Sequence, residues 1–246
     1  MNKVSIIGLG WFGEALAGEL KAQYEISGTT RSEEKVAAFR SQNIHAEKLT
    51  HTDLPSAQLL SADFIVLNIP PFLGQLDWLK SWKWNKKSHV IFISSTSVYG
   101  KNTGLVDELS LPIPETENAK ILLEEEEWFK TFEKFTIVRF AGLIGGSRHP
   151  GNTLSGRQGI ASGNLPINLI HLKDCVGFIK LLIDKHITNE TFNLAHPNHP
   201  SRRDYYQSYC LKNHLTLPEF IDSPESGKII SHHKASLIYD FVGNLD

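Results

Sequence analysis

The stretch Val4-Ser5-Ile6-Ile7-Gly8-Leu9-Gly10-Trp11-Phe12-Gly13, running on through Glu14-Ala15-Leu16-Ala17-Gly18-Glu19-Leu20-Lys21, decides the fold. Val4 to Ile7 is an apolar run with the length of a buried strand, and Trp11 to Lys21 has helical periodicity, with Phe12, Ala15, Leu16 and Leu20 on one face. The glycines between them stand where a strand that turns into a helix can receive a dinucleotide pyrophosphate. Gly8 permits the tight turn, Gly10 the approach of phosphate to backbone, and Gly13 the close packing of helix on strand. Backbone N–H groups at the helix start, around Trp11 and Phe12, then face the phosphates. Glycines in this spacing are common by chance, so the flanking strand and helix give them their meaning.

Working outward, the same alternation recurs. Tyr24 to Thr29 reads as a second strand, and Ser32 caps a helix that carries Val36, Ala37 and Phe39. Ile44 to Glu47 is a short third strand. Phe64 to Ile69 is almost wholly apolar, as in a strand covered on both faces, and it ends at Pro70-Pro71. His89 to Ser94 is another such run, Glu117 to Phe132 a long helix, and Phe135 to Phe140 a further strand. This is an α/β pattern, a Rossmann-type doubly wound parallel sheet. Beyond Gly145 the chain turns to Gly, Asn, Ser and Arg up to Asn164. Leu165 to His171 then reads as extended, Lys173 to Leu182 as a helix, Thr191 to Leu194 as a last strand and Arg202 to Leu211 as a helix of a smaller lobe. The expected organisation is a dinucleotide-binding core over 1–145, followed over 146–246 by a mixed segment that forms a small C-terminal substrate lobe and returns elements to the core.

The dinucleotide is indicated by the end of the second strand, where a carboxylate would hold a ribose 2′-OH and repel a 2′-phosphate. Gly28-Thr29-Thr30-Arg31-Ser32 has no acid there. Arg31 offers a planar cation and Thr30 and Ser32 offer hydroxyls, which favours NADP over NAD. Asn68, Ile69, Pro70 and Phe140 are further expected cofactor contacts.

Composition narrows the remaining classes. With 246 residues, 41% hydrophobic and 21% charged, the chain has the make-up of an ordered globular protein. A formal net charge of −2 and scattered Lys and Arg argue against a nucleic-acid partner. Trp78, Trp82 and Trp84 near Lys80, Lys83, Lys86 and Lys87 read as core or interface aromatics beside a basic flank. No apolar stretch is long enough for a membrane span, and the start lacks a secretory pattern, so the expected location is cytoplasmic. Cys175 and Cys210 read as buried thiols, and His196/His199 and His232/His233 lack metal-ligand spacing, so no metal is expected. The run Glu124 to Glu127 reads mostly as a solvated face.

Ile93-Ser94-Ser95-Thr96-Ser97-Val98-Tyr99-Gly100 resembles the Ser-Ser-x-x-Val-Tyr-Gly signature of extended short-chain dehydrogenases/reductases, the NAD-dependent epimerase/dehydratase family. Asp107-Glu108, Lys120 with Glu124, Val138 to Gly145, Ile170 to Asp174 and Phe192-Asn193-Leu194 follow in that family's order. The phosphate loop is one residue shorter than the family's usual Gly-x-x-Gly-x-x-Gly. With Thr29 to Ser32 and Pro200 to Tyr206, this is similar to an atypical branch, the YeeZ-like group. Dehydrogenases of the 6-phosphogluconate or ketopantoate type also open with Gly-x-Gly-x-x-Gly but lack the Val-Tyr-Gly signature.

The resemblance implies chemistry. Ser95 would polarise a substrate oxygen, and Lys120 would bridge the nicotinamide ribose hydroxyls. The family's Tyr-x-x-x-Lys, counted back from Lys120, puts Thr116 where the tyrosine acid stands. An aliphatic hydroxyl titrates far above neutrality and cannot replace a phenol. Tyr99, Asp107, Glu115 and His149 are the candidate substitutes, and Arg148 and Arg157 the candidate grips for an anionic substrate. The expected function is an NADP-dependent oxidoreductase or epimerase-like enzyme on a small polar metabolite, with a homodimer as the candidate assembly. The alternative is a non-catalytic NADP(H)-binding or redox-sensing protein that has lost the tyrosine.

Overall fold

In the computed structural model, which describes residues 1–224 and 226–245, β1 (Lys3–Ile7) is buried from Val4 onward and feeds α1 (Trp11–Leu20) through the glycine loop. β2 (Glu25–Thr30), α2 (Glu33–Arg40) and β3 (His45–Lys48) follow. The short α3 (Ala57–Leu60) leads into β4 (Phe64–Leu67), whose four residues are all buried. Next come α4 (Gln75–Lys80), β5 (His89–Ser95) and a 3₁₀ turn over Thr96–Tyr99. β6 (Gly104–Val106), α5 (Glu117–Phe129) and β7 (Phe135–Phe140) complete the first half.

Seven strands form one sheet in the order β10-β7-β5-β4-β1-β2-β3, where β10 is Glu190–Leu194, and every pairing is parallel. The chain starts mid-sheet, lays β2 and β3 to one side, then crosses back to place β4 on the other, with Ile6 opposite Gly28 on one flank and Val66 on the other. The loops after β1 and β4 therefore diverge, and a crevice opens at the carboxyl ends of the strands. The doubly wound fold expected from the apolar runs is the observed one.

After β8 (Gly142–Ile144) come α6 (Pro150–Leu154) and β9 (Leu169–His171), which pairs with β8. α7 (Leu172–Asp184) packs on α1, and β10 extends the main sheet beside β7, so this stretch belongs to the core. The remainder forms a lobe around α8 (Arg202–Lys212), which packs on α6 and has a small cluster of its own: Ile144, Ile167, Leu169, Tyr205 and Tyr206. β11 (Lys228–Ile230) pairs with β6, and α9 (His233–Ser236) packs on β10.

Two expectations need correction. The long helix stops at Phe129, not Phe132: the Lys130 N–H still reaches Glu126 O, but those of Thr131 and Phe132 close tighter turns onto Trp128 and Phe129. Half of the acidic run is not solvated, for Glu125 and Glu126 are fully buried. No described helix is long and apolar enough to cross a membrane.

Candidate functional site

The glycine loop is fixed from both neighbouring strands. Thr29 Oγ1 accepts from Gly8 N–H (3.1 Å), the Thr29 carbonyl from Leu9 N–H (2.7 Å), and Asn68 Nδ2 donates to the Gly8 carbonyl (3.3 Å). Gly8 has φ +111°, and a Cβ there would collide with the Asn68 carbonyl; one on Gly13 would collide with the Gly8 carbonyl. Only glycine fits either place. Gly10 faces open space, and as the α1 N-cap it offers no side chain, whereas α2, α5, α7 and α8 are capped by Ser32, Thr116, His171 and Ser201. The first-turn N–H groups of α1 are thus left for an outside acceptor.

These groups line a groove of ≈ 1000 Å³ along the carboxyl edge of the sheet. At one end Thr30, Arg31, Ser32 and Lys35 gather at the tip of β2. Ser32 caps α2 by accepting from Lys35 N–H (3.4 Å), which turns that helix start toward the groove. No carboxylate among the described residues pairs with Arg31 or Lys35. An aromatic wall continues from there, with His51 against Phe72 (ring centroids 5.9 Å) and Phe72 against Trp78 (5.5 Å). Asn68, Ile69 and Pro70 line the middle. Such a cradle, with cations at one end and unpaired N–H groups at its centre, fits a dinucleotide. Lys35, His51 and Phe72 escaped the sequence reading, and Trp78, read there as a core or interface aromatic, lines the groove; for Lys35 the signal was its place in the first turn of a helix whose cap was already recognised.

The other end is built by the tips of β5 and β7: Ser94, Ser95, Phe140 and Ala141, with Phe12 edge-on to Phe140 (5.2 Å). Ser95 Oγ accepts from Ser97 N–H (3.1 Å), so its own proton is free to point at a ligand. Ser94 Oγ donates instead to buried Glu126 (2.5 Å), which takes a two-pronged contact from Arg139 (Nη2 2.5 Å, Nε 3.0 Å). Arg139 Nη1 donates to Tyr99 Oη (2.6 Å), and that hydroxyl faces the Asp107 carbonyl (2.8 Å) and Asn193 Oδ1 (3.0 Å). Burial works against the charge of Arg139, but the Glu126 and Tyr99 contacts overcome it and hold the guanidinium pKa above its ordinary value. Burial likewise pushes the Tyr99 phenol up, partly offset by Arg139.

The structure does not bring Lys120 or Thr116 into this groove. Leu122 is the α5 residue that lines it. At about 100° per residue, Lys120 points some 200° around the helix from Leu122, and its ammonium lies 2.5 Å from Glu117 on the solvent side. Thr116 spends its hydroxyl on capping α5, accepting from Ala119 N–H (3.2 Å). None of the four candidate acids lines the groove either. Tyr99 is buried in its network, Asp107 caps its own turn through Ser110 and Leu109, Glu115 is exposed, and His149 is held in the lobe by Tyr205 and Tyr209. Of the two arginines, Arg148 lines the groove and Arg157 does not. Trp78, Trp82 and Trp84 form a chain of ring contacts running to Trp128, Phe129 and Phe132. Cys175 and Cys210 are buried and unpaired, and no group of three or more His, Cys, Asp or Glu among the described residues is placed to hold a metal.

The amino-terminal segment, residues 3–97, matches the family model described as NADP oxidoreductase, coenzyme F420-dependent. The protein YeeZ of Escherichia coli K12 is 33% identical over 248 aligned positions, covering 93% of this chain and 90% of that one. The chain belongs to the YeeZ family. For the YeeZ family this agrees with the resemblance read from the shortened phosphate loop. Among solved structures, UDP-glucuronic acid 4-epimerase from Bacillus cereus in complex with NAD superposes with TM-score 0.78 at 18% identity, over 98% of this chain and 94% of that one. A putative NAD-dependent epimerase/dehydratase from Methylobacillus flagellatus gives 0.76 at 22% identity, over 98% and 93%. A conserved protein of unknown function from Silicibacter pomeroyi gives 0.79 at 16%, over 96% and 92%. The YeeZ family chain thus has the epimerase/dehydratase fold.

Proposed function

We propose that the groove binds NADP and that the protein is an NADP-dependent oxidoreductase or epimerase-like enzyme acting on a small polar metabolite. The observation that carries this reading is the groove itself: an uncapped glycine-loop helix start at its centre, unpaired Arg31 and Lys35 at one end and the Ser95 hydroxyl at the other. Arg31, Lys35, Thr30 and Ser32 would hold the 2′-phosphate. His51, Phe72 and Trp78 would shelter the adenine, and Phe12 with Phe140 would back the nicotinamide, which supplies or accepts hydride when bound. Ser95 would donate to the substrate oxygen. The amino-terminal match to an NADP oxidoreductase model and the NAD in the Bacillus cereus epimerase support a nicotinamide dinucleotide. The choice of NADP rests on Arg31 and Lys35.

Calorimetric titration tests the choice. Native protein is expected to bind NADP about tenfold or more tightly than NAD, as loss of one charge-assisted contact would give, and Arg31→Asp to abolish or reverse the preference. An unchanged preference overturns the assignment.

One observation favours a second reading. Among the described residues, the α5 wall of the groove presents Leu122 and no tyrosine or lysine, as in a protein that holds NADP(H) without turning it over. A screen of carbonyl and sugar-nucleotide substrates for loss of reduced-cofactor absorbance separates the two. Turnover abolished by Ser95→Ala supports the enzyme; tight binding with no turnover on any class supports the non-catalytic reading.

A further inference from the structure

Arg148 reaches the groove from the opposite half of the molecule to the glycine loop. It stands at the end of a hairpin closed by Gly145 N–H to the Arg148 carbonyl (3.0 Å) and Arg148 N–H to the Gly145 carbonyl (3.1 Å), with Gly145 at φ +131° and Gly146 at φ +57°. Its guanidinium lies over the ring of Trp11, 5.1 Å from the centroid, and no carboxylate among the described residues pairs with it. Trp11 is the residue directly after Gly10, so this cation hangs above the loop at which phosphates are expected.

The next residue fixes that position. His149 stacks on Tyr209 of α8 (3.5 Å, 12° between planes), and its two ring nitrogens are both committed. Nδ1 accepts from Gly151 N–H (3.0 Å), so Nε2 carries the proton and donates to Tyr205 Oη (2.7 Å), which in turn donates to the Leu245 carbonyl (2.5 Å). Only the neutral imidazole satisfies this chain, and burial keeps it neutral by lowering the pKa to about 4. A side chain at Gly151 would strike the Tyr209 ring. The hairpin that carries Arg148 is therefore pinned to α8 and to the C-terminal segment.

We propose that Arg148 is an anion clamp that closes over the diphosphate of a dinucleotide bound on Gly8–Gly13, and that His149 is its positioning residue. This rests on the dinucleotide reading of the groove. In the free protein the guanidinium is stored on the Trp11 ring, where a cation–π contact holds it without cancelling its charge. On binding, it adds a charge-assisted contact to phosphates already held by backbone N–H groups. The clamp places cofactor residence under the control of the C-terminal lobe, since its position depends on Tyr205, Tyr209 and Leu245.

The test is the dissociation rate of NADPH from the full chain, followed by stopped-flow fluorescence on displacement with excess NADP and without substrate. Loss of one charged hydrogen bond is expected to raise the rate roughly 10- to 100-fold in Arg148→Ala and to flatten the dependence of affinity on salt. Arg148→Lys is expected to restore part of both. His149→Ala is expected to shift the rate in the same direction, and the double variant to add little to Arg148→Ala alone, since the two act as one unit. Arg148 is exposed, so its variants are expected to fold, which circular dichroism verifies. If the native chain binds NADPH and Arg148→Ala leaves rate and salt dependence unchanged, the clamp is overturned and the cofactor reading stands. If the native chain binds neither dinucleotide, both fall.

Discussion

Glu125 is fully buried, and both of its carboxylate oxygens lack a hydrogen-bond partner among the described residues. Burial, reinforced by the charge of Glu124, pushes its pKa up to about 8. A carboxyl whose pKa is raised by folding holds its proton in the native state while the unfolded chain has lost it, so stability falls with rising pH between the unfolded value of 4.5 and about 8. Glu125→Gln is expected to remove this dependence. Urea unfolding of the two proteins should give similar stabilities near pH 5, with a gap in favour of the variant that widens toward pH 8 by up to about 1.4 kcal/mol per unit. A constant gap would show that Glu125 is solvated or paired. Its neighbour Glu126, equally buried, is hydrogen-bonded by Arg139 and Ser94. Arg139→Met, which strands Glu126 without its cation, is expected to cost about 3–5 kcal/mol. The sequence carried the means to separate these glutamates: Leu122 and Phe129 mark the buried stripe of α5, and positions three and four after Leu122 lie on it. Reading the four acids as a block, by charge alone, hid the phase.

The same helix phase decides what α5 contributes to the groove. A motif counted along the chain fixes a spacing but not a direction, and Lys120 is a lysine at a plausible distance that points the wrong way. Thr116→Ala is accordingly expected to lower stability by about 1 kcal/mol, the usual worth of an N-cap hydroxyl, and to leave dinucleotide affinity unchanged in titration. A large loss of affinity with intact stability would return Thr116 to the site. Elements with strong periodicity were legible: the runs that became β1, β4, β5 and β7, the glycine loop, and the Ser32 cap all carry their own local cause. α3, α4, β6, β8 and β11 were not, because these short segments carry neither a helical period nor the long apolar run of a doubly covered strand, and are set by what they pack against. Lys228–Ile230 becomes a strand only because Gly104–Val106 lies alongside it.

At the scale of the molecule, the division expected near residue 145 is crossed twice. α7 packs on α1 and β10 lengthens the main sheet, while the lobe proper has a separate cluster of five buried residues, too few to stand alone. The groove also draws on both sides of that division, taking Arg148 from one and the glycine loop, Gly142 and Leu143 from the other. Core and lobe should therefore unfold together, and a ligand in the groove should stabilise both. At a free NADP concentration 100 times Kd, binding adds about 2.7 kcal/mol, which for a chain of 246 residues corresponds to a rise in Tm of roughly 5–10 °C. Scanning calorimetry is expected to show one transition that moves as a whole, and to move less in Arg148→Ala at the same NADP concentration, because the weaker complex reaches a lower saturation ratio. Two transitions, with only the upper one shifted by NADP, would mean that the lobe melts on its own and contributes nothing to holding the cofactor.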